Sequence, residues 1–142
     1  MKVLNIGSGE RFMVKALNVE LNVHYADIPF GVRNEFKWLG KDKIRHSGFG
    51  LAFFSYSLRY NGGQMKRMVK HLKEIMTPEA IIEIIDYLEN PYTGRNVSLE
   101  TYKRTFIRPF QDAGFKIVDS MVGDEGRVFF RLCTCSKKGV QY

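Results

Sequence analysis

The sequence predicts an α/β chain with a mostly parallel sheet, closed by a C-terminal antiparallel β-hairpin. Three observations carry this. The apolar run Val3, Leu4, Ile6 stops at a Gly7-Ser8-Gly9 turn and leads into apolar residues at helical spacing. Strand-length and helix-length patterns then alternate along the chain, which is the mark of crossover connections. Lastly, two strand-like runs near the end are separated only by Gly123-Asp124-Glu125-Gly126, too short for anything but a hairpin. At 142 residues the chain is expected to form a single domain, 1–142, with a frayed tail at 136–142.

Taken in order, residues 3–6 read as a buried strand and residues 12–18 as a short helix. Residues 19–28 alternate as a second strand, stopped by Pro29. Residues 30–50 are basic and loop-like, with 36–39 as a third strand or edge segment. Residues 51–56 are a strand, followed by a Gly62-Gly63 break. From 64 to 76 the apolar positions Met65, Met68, Val69, Leu72, Ile75 and Met76 have helical spacing, with Lys66, Arg67, Lys70, His71 and Lys73 on the solvated face. Residues 77–90 fit two templates: Thr77-Pro78-Glu79 would start a helix, whereas 80–85 is a β-branched run of strand length. A helix has just ended, so alternation selects the strand. Asn90-Pro91-Tyr92-Thr93-Gly94 is a loop. Ser98 caps a helix reaching Ala113, which Gly114 ends in the left-handed conformation. Residues 115–122 and 127–135 are the hairpin strands.

Composition narrows the function. A hydrophobic fraction of 44% with 13% aromatics is that of a folded chain. The longest apolar runs, such as 51–54, are too short to span a bilayer, and the N-terminus has no leader-like core, so no membrane association and a cytoplasmic location are expected. Cys133 and Cys135 are the only cysteines; they read as small buried thiols, since a lone Cys-x-Cys lacks the other ligands of a zinc site. No metal is expected. The 22 Lys and Arg against 15 Asp and Glu give a formal charge of +7, which favours an acidic or polyanionic partner.

Five segments together resemble the class I S-adenosylmethionine-dependent methyltransferases, and the resemblance covers nearly the whole chain. Val3-Leu4-Asn5-Ile6-Gly7-Ser8-Gly9 is similar to that family's first motif, whose loop cradles the methionine and ribose parts of the cofactor. Val23-His24-Tyr25-Ala26-Asp27-Ile28 is similar to the second, whose acid holds the ribose hydroxyls; Asp27 also lies at the distance from the glycine turn expected of a ribose-binding acid. Phe53-Phe54-Ser55-Tyr56-Ser57 occupies the place of the fourth, beside the transferred methyl. Residues 71–80 resemble the helix-to-strand step that follows, and 110–118, with Ala113-Gly114-Phe115, the late helix–turn–strand.

The resemblance implies a Rossmann-like three-layer sandwich, S-adenosyl-L-methionine as cofactor, and cofactor contacts from Asn5, Gly7, Ser8, Gly9, Asp27, Ile28 and Ser55. The chain also departs from the pattern. Asn5 stands where an acid often begins the first motif, Arg11 where a third glycine often falls, and Gly50 where an Asp usually precedes the fourth strand. The segment between strands two and four is short, leaving Asp42 as the candidate for the adenine amine. No helix precedes strand one, so an open site completed by substrate or by a second subunit of a homo-oligomer is expected.

Methyl transfer from a sulfonium is an in-line displacement that mainly requires alignment and exclusion of water. Few side chains are therefore marked by the chemistry itself. Tyr56, at the end of strand four, and His46, on the loop before it, are the acceptor-side candidates. Arg59, Lys66, Arg67, Lys70 and Lys73, with Lys41, Lys43 and Arg45, form a candidate basic rim for nucleic acid, against the alternative of a plain solvated surface. The competing functional class is a non-catalytic binding or scaffold protein of the same fold; a small-molecule or protein methyltransferase, or another nucleotide binder, comes behind.

Overall fold

The computed structural model describes residues 2–6, the backbone of 22–26, and residues 48–134. The helix expected at 12–18, the segment 30–47 and the tail at 136–142 lie outside these residues. Among the described residues, the strands are β1 (Lys2–Ile6), β2 (Asn22–Ala26), β3 (Phe49–Ser55), β4 (Met76–Tyr87), β5 (Lys116–Val122) and β6 (Arg127–Cys133). They form one sheet in the order β2-β1-β3-β4-β6-β5. Pairings β1–β2, β1–β3 and β3–β4 are parallel; β6 inserts antiparallel between β4 and β5. The fold is thus α/β with a mostly parallel sheet and a C-terminal antiparallel hairpin.

Helix α1 (Met65–Ile75) buries Met65, Met68, Val69, Leu72 and Ile75 and exposes Lys66, Arg67, Lys70 and Lys73, as its periodicity predicts. His71 departs from expectation. It is only 5% exposed, because Met68 and Ile75, one turn away on either side, draw it onto the edge of the apolar stripe. Its Nδ1 lies 3.5 Å from a Glu74 carboxylate oxygen.

The ambiguous segment after α1 is a strand. Met76 already has extended angles, φ −100° and ψ 160°, so α1 passes into β4 without a loop. Ala80, Ile82, Ile84 and Asp86 are buried in strict alternation. Neighbours on both edges satisfy the β4 backbone, which decides for the strand against local helix signals.

Helix α2 spans 99–112 in three pieces: an α turn (Leu99–Tyr102), a π segment (Lys103–Ile107) and a second α turn (Arg108–Asp112). Ser98 caps it as expected, its Oγ accepting from Thr101 N at 3.1 Å. The π segment has a local cause. Pro109 lacks the N–H that would bond to Thr105 and its ring crowds that carbonyl, so the preceding turn widens and Arg108 N donates to Lys103 O. At the far end Gly114 has φ +103° and Phe115 N returns to Phe110 O at 3.0 Å, while Lys73 Nζ from α1 donates to Ala113 O at 2.6 Å.

Both helices pack on the same sheet face. The core between them holds Leu4, Ile6, Ala52, Phe54, Ile82 and Ile84 from the strands and Tyr102, Ile107 and Phe110 from α2. Phe110 is its pivot, meeting Phe54 and Phe115 edge-on at 6.1 and 5.7 Å between ring centroids. Cys133 is buried as expected but is disulfide-bonded, not the free thiol the spacing suggested.

Replacing Phe110 by Ala removes a fully buried ring between two others. The expected loss is about 3–5 kcal/mol of unfolding free energy, read from urea denaturation at unchanged slope.

Candidate active site

From β1 the chain steps outward to β2, then returns across β1 to β3 on its other side. This reversal opens a crevice at the C-terminal ends of β1 and β3, where Ile6 and Phe54 are register partners. Asn5 reaches this end of β1 on the face opposite Leu4 and Ile6. It is 1% exposed, and neither its Oδ1 nor its Nδ2 has a hydrogen-bond partner among the described residues. A buried amide with nothing to bond costs stability unless a further group satisfies it. Ser55 ends β3 beside it and is also buried. Ser57 Oγ donates to Ile6 O at 2.9 Å, tying the two strand ends together.

Between Ser55 and Ser57, Tyr56 sits at φ +56°, a left-handed conformation that costs a non-glycine residue about 1–2 kcal/mol. Its surroundings hold it there. Tyr56 N donates to Ile85 O at 2.8 Å, its ring stacks on Tyr87 at 4.9 Å, and its carbonyl accepts from Arg59 Nη1 at 3.2 Å.

Arg59 is anchored in turn by Asp86, the last buried residue of β4. Asp86 Oδ1 accepts from Arg59 Nη1 at 2.7 Å and from Tyr87 N at 2.9 Å; Oδ2 accepts from Arg59 N at 2.9 Å and Tyr102 Oη at 2.7 Å. Burial raises the Asp86 pKa above the ordinary carboxylate value, while the bonds from Tyr102, Arg59 and the Tyr87 backbone pull it back. The Tyr102 hydroxyl is pushed well above the usual tyrosine value, by burial first and then by the adjoining carboxylate. Arg59 is held charged: burial opposes its charge, and Asp86 outweighs burial through its hydrogen bond and its field.

This network forms the floor beside a cavity of about 950 Å³ at the C-terminal ends of β3 and β4. The short 3₁₀ turn Leu58–Gln64, the loop after β4 and the first half of α2 wall it. Tyr60, Tyr92, Tyr102 and Phe106 give it aromatic walls; Asn61 and Asn90 are among its polar ones. Tyr92 is 69% exposed, and its hydroxyl donates to Tyr60 O at 3.4 Å.

The structure therefore brings Asn5, Ser55 and Tyr56 to one crevice. Gly7, Ser8, Gly9, Asp27, Ile28, Asp42 and His46 lie outside the described residues. Asn90-Pro91-Tyr92, read from sequence as a loop, is a loop and lines the cavity. The expected basic rim is altered: Arg59 is withdrawn into its pair with Asp86, and Lys73 is exposed but donates to the end of α2, while Lys66, Arg67 and Lys70 are exposed. Lys41, Lys43 and Arg45 are not among the described residues. Sequence reasoning passed over Asp86 and Tyr102. The available signal was Asp86 in the buried phase of an isoleucine-rich strand, since a buried polar residue is the informative kind.

No family model matches the chain, and no curated protein does. Solved structures do. A SAM-dependent methyltransferase from Aquifex aeolicus superposes with a TM-score of 0.66 at 16% identity, covering 95% of this chain and 82% of that one. The 16S rRNA methyltransferase KamB gives 0.65 at 15% identity, over 93% and 86% of the two chains. A 16S rRNA (adenine(1408)-N(1))-methyltransferase from Catenulisporales acidiphilia gives 0.63 at 12%, over 93% and 84%. The chain has the fold of the class I S-adenosylmethionine-dependent methyltransferases. No helix among the described residues is long and apolar enough to cross a membrane.

Two outcomes follow for the network. Asp86→Asn leaves the Arg59 guanidinium without its counter-charge in a site only 10% exposed. The expected destabilisation is about 3 kcal/mol, the low end for a broken buried pair because the Glu89 carboxylate stays 3.7 Å away. Tyr102→Phe should take little from the tyrosinate absorbance that develops around the ordinary tyrosine pKa, since burial and the Asp86 carboxylate push the Tyr102 hydroxyl well above that range.

Proposed function

We propose that this protein is an S-adenosylmethionine-dependent methyltransferase whose acceptor is a nucleic acid. The observation that carries the cofactor half is Asn5. Its amide is buried at the switch point with both polar atoms unpaired, at the position where the first motif of the fold presents a side chain toward the cofactor. An amide oxygen suits an ammonium donor and an amide nitrogen a carboxylate, so an amino-acid moiety fits the donor set. Ser55, buried at the neighbouring strand end, supplies a hydroxyl on the same crevice. Bound there, S-adenosylmethionine supplies an activated methyl on a sulfonium.

The chain's own part is alignment. Ser57 fixes β1 against β3, and the strained turn at Tyr56 is held by Ile85, Tyr87 and Arg59. A turn so constrained presents fixed groups to an acceptor and loses little freedom when the acceptor binds. The Tyr56 ring stacks on Tyr87, which fixes it as a wall of the acceptor side. A nucleic-acid acceptor is supported by the formal charge of +7 and by the fold's likeness to two 16S rRNA methyltransferases.

Asn5→Ala separates cofactor binding from folding. No hydrogen bond from the described residues is lost, so the midpoint of urea unfolding should stay level or rise. Affinity for S-adenosylhomocysteine by calorimetry should fall by about 10- to 100-fold, the worth of a hydrogen bond to a charged group. Equal affinity in both proteins, or absence of binding by the wild type at millimolar ligand, contradicts the proposal.

A further inference from the structure

The 950 Å³ cavity beyond Arg59 is a site the motifs do not assign. We infer that it receives one unstacked base of a single-stranded nucleic acid, with Tyr92 as its stacking platform and exposed cations at its mouth taking the flanking phosphates. This rests on the nucleic-acid reading above and names where on the chain the strand is gripped.

The shape and lining carry the first half. Ligand pockets fall at about 300–1,000 Å³, so the cavity has room for a whole nucleotide and not only for a methyl-bearing edge. Its aromatic rings differ in their freedom. Tyr102 is fixed through Asp86 and Phe106 packs against it at 4.9 Å, so these two form a rigid inner wall. Tyr60 and Tyr92 meet edge-to-face at 6.4 Å, with Arg59 over the Tyr60 ring at 5.0 Å. Tyr92 is the most exposed aromatic among the described residues, on a loop braced by Asn90 Oδ1 accepting from Tyr92 N at 2.8 Å and Thr93 N at 3.3 Å. A solvent-facing ring on a braced loop beside an apolar cavity is suited to stacking any base, because every base offers a π-face.

Charge carries the second half. Lys66 and Arg67 lie two and three residues beyond the cavity wall at Gln64, Arg95 stands three residues after Tyr92, and Arg104 adjoins Thr105; all four are exposed. Arg104 Nη2 donates to Oγ1 of Thr101, itself a lining residue, which places that guanidinium at the mouth. Of the nearby carboxylates, Glu89 faces Arg59 at 3.7 Å and Glu100 lies on the first turn of α2. The mouth is therefore cationic while the interior is aromatic. That combination suits a phosphodiester strand better than a neutral small molecule or an acidic peptide, neither of which uses both features.

The test is fluorescence anisotropy with an end-labelled mixed-sequence RNA of about 12 nucleotides, the site size of a single-strand groove, in the absence of cofactor. Tyr92→Ala should weaken binding by about 5- to 100-fold without altering its salt dependence, and Tyr92→Phe should restore most of it. The double substitution Arg95→Ala with Arg104→Ala should instead flatten the logarithmic salt slope by about 0.7 for each phosphate contact removed. Free adenosine monophosphate should compete only at far higher concentration than unlabelled RNA. Tyr92→Ala binding as tightly as the wild type, or the wild type failing to bind at low salt, overturns the inference. So does adenosine monophosphate competing at the same concentration as the oligonucleotide. Calorimetry of S-adenosylhomocysteine with the Tyr92→Ala protein keeps the two readings apart. Unchanged cofactor affinity with lost RNA binding supports the inference, and absent cofactor binding with RNA binding still dependent on Tyr92 removes the methyltransferase reading alone.

Discussion

The Asp86 carboxylate has no exposed surface, yet it accepts hydrogen bonds from a backbone amide and a guanidinium of residue 59, a hydroxyl of α2 and the amide of Tyr87. Burying an anion is costly unless donors replace its water, and here four of them do. Their positions matter more than their number. They come from the turn after β3, from the end of β4 and from α2, and α2 packs on the other two largely through apolar side chains. Apolar contact is non-directional, so it would allow these segments to slide against one another. The carboxylate removes that freedom at the one edge of the sheet where ligands bind in open α/β folds.

Strain at Tyr56 is sustained by the same arrangement. A left-handed tyrosine persists only where its surroundings over-determine it. The Arg59 guanidinium does this through the Tyr56 carbonyl, and it is itself positioned by Asp86. Ser57, one residue on, fastens the turn to β1 at Ile6. The crevice with Asn5 and the aromatic cavity are thus two sides of one rigid turn. Such coupling fixes the distance between a group held over β1 and one held beside α2.

Much of this was legible because it depends on periodicity. The stripe of Met65, Met68, Leu72 and Ile75 predicted α1, the Ser98 cap and Gly114 stop bounded α2, and the Gly123–Gly126 run predicted the hairpin. The strand at β4 required an argument from alternation, since local signals at Thr77-Pro78-Glu79 pointed to a helix; pairing on both edges overrode them. His71 was misplaced because a charged-looking neighbourhood of lysines hides a position flanked by Met68 and Ile75. Asn5, Ser55 and Tyr56 were singled out through their motifs, and the structure places them at neighbouring strand ends. Arg59, Asp86 and Tyr102 were not, because their meaning lies in contacts across 16 to 27 residues of sequence that no spacing rule encodes. Arg59 even pointed the wrong way. It looked like surface charge, and three-dimensional pairing turned it into structure.

That reassignment changes how the net charge should be understood. A guanidinium buried against a carboxylate contributes nothing to the field that an approaching polyanion meets, and an ammonium donating to a helix C-terminus contributes less than its formal charge. The cations that remain exposed near the cavity, Lys66, Arg67, Arg95 and Arg104, come from α1, the loop after β4 and α2. These are the elements that wall the aromatic cavity or continue directly from its walls, and Asp86 with its partners fixes their relative positions. The buried ion pair and the exposed cations therefore divide the basic residues by role: one holds the walls, the others face outward from them. A tally of lysines and arginines cannot make that division, whereas a single carboxylate in the buried phase of β4 does.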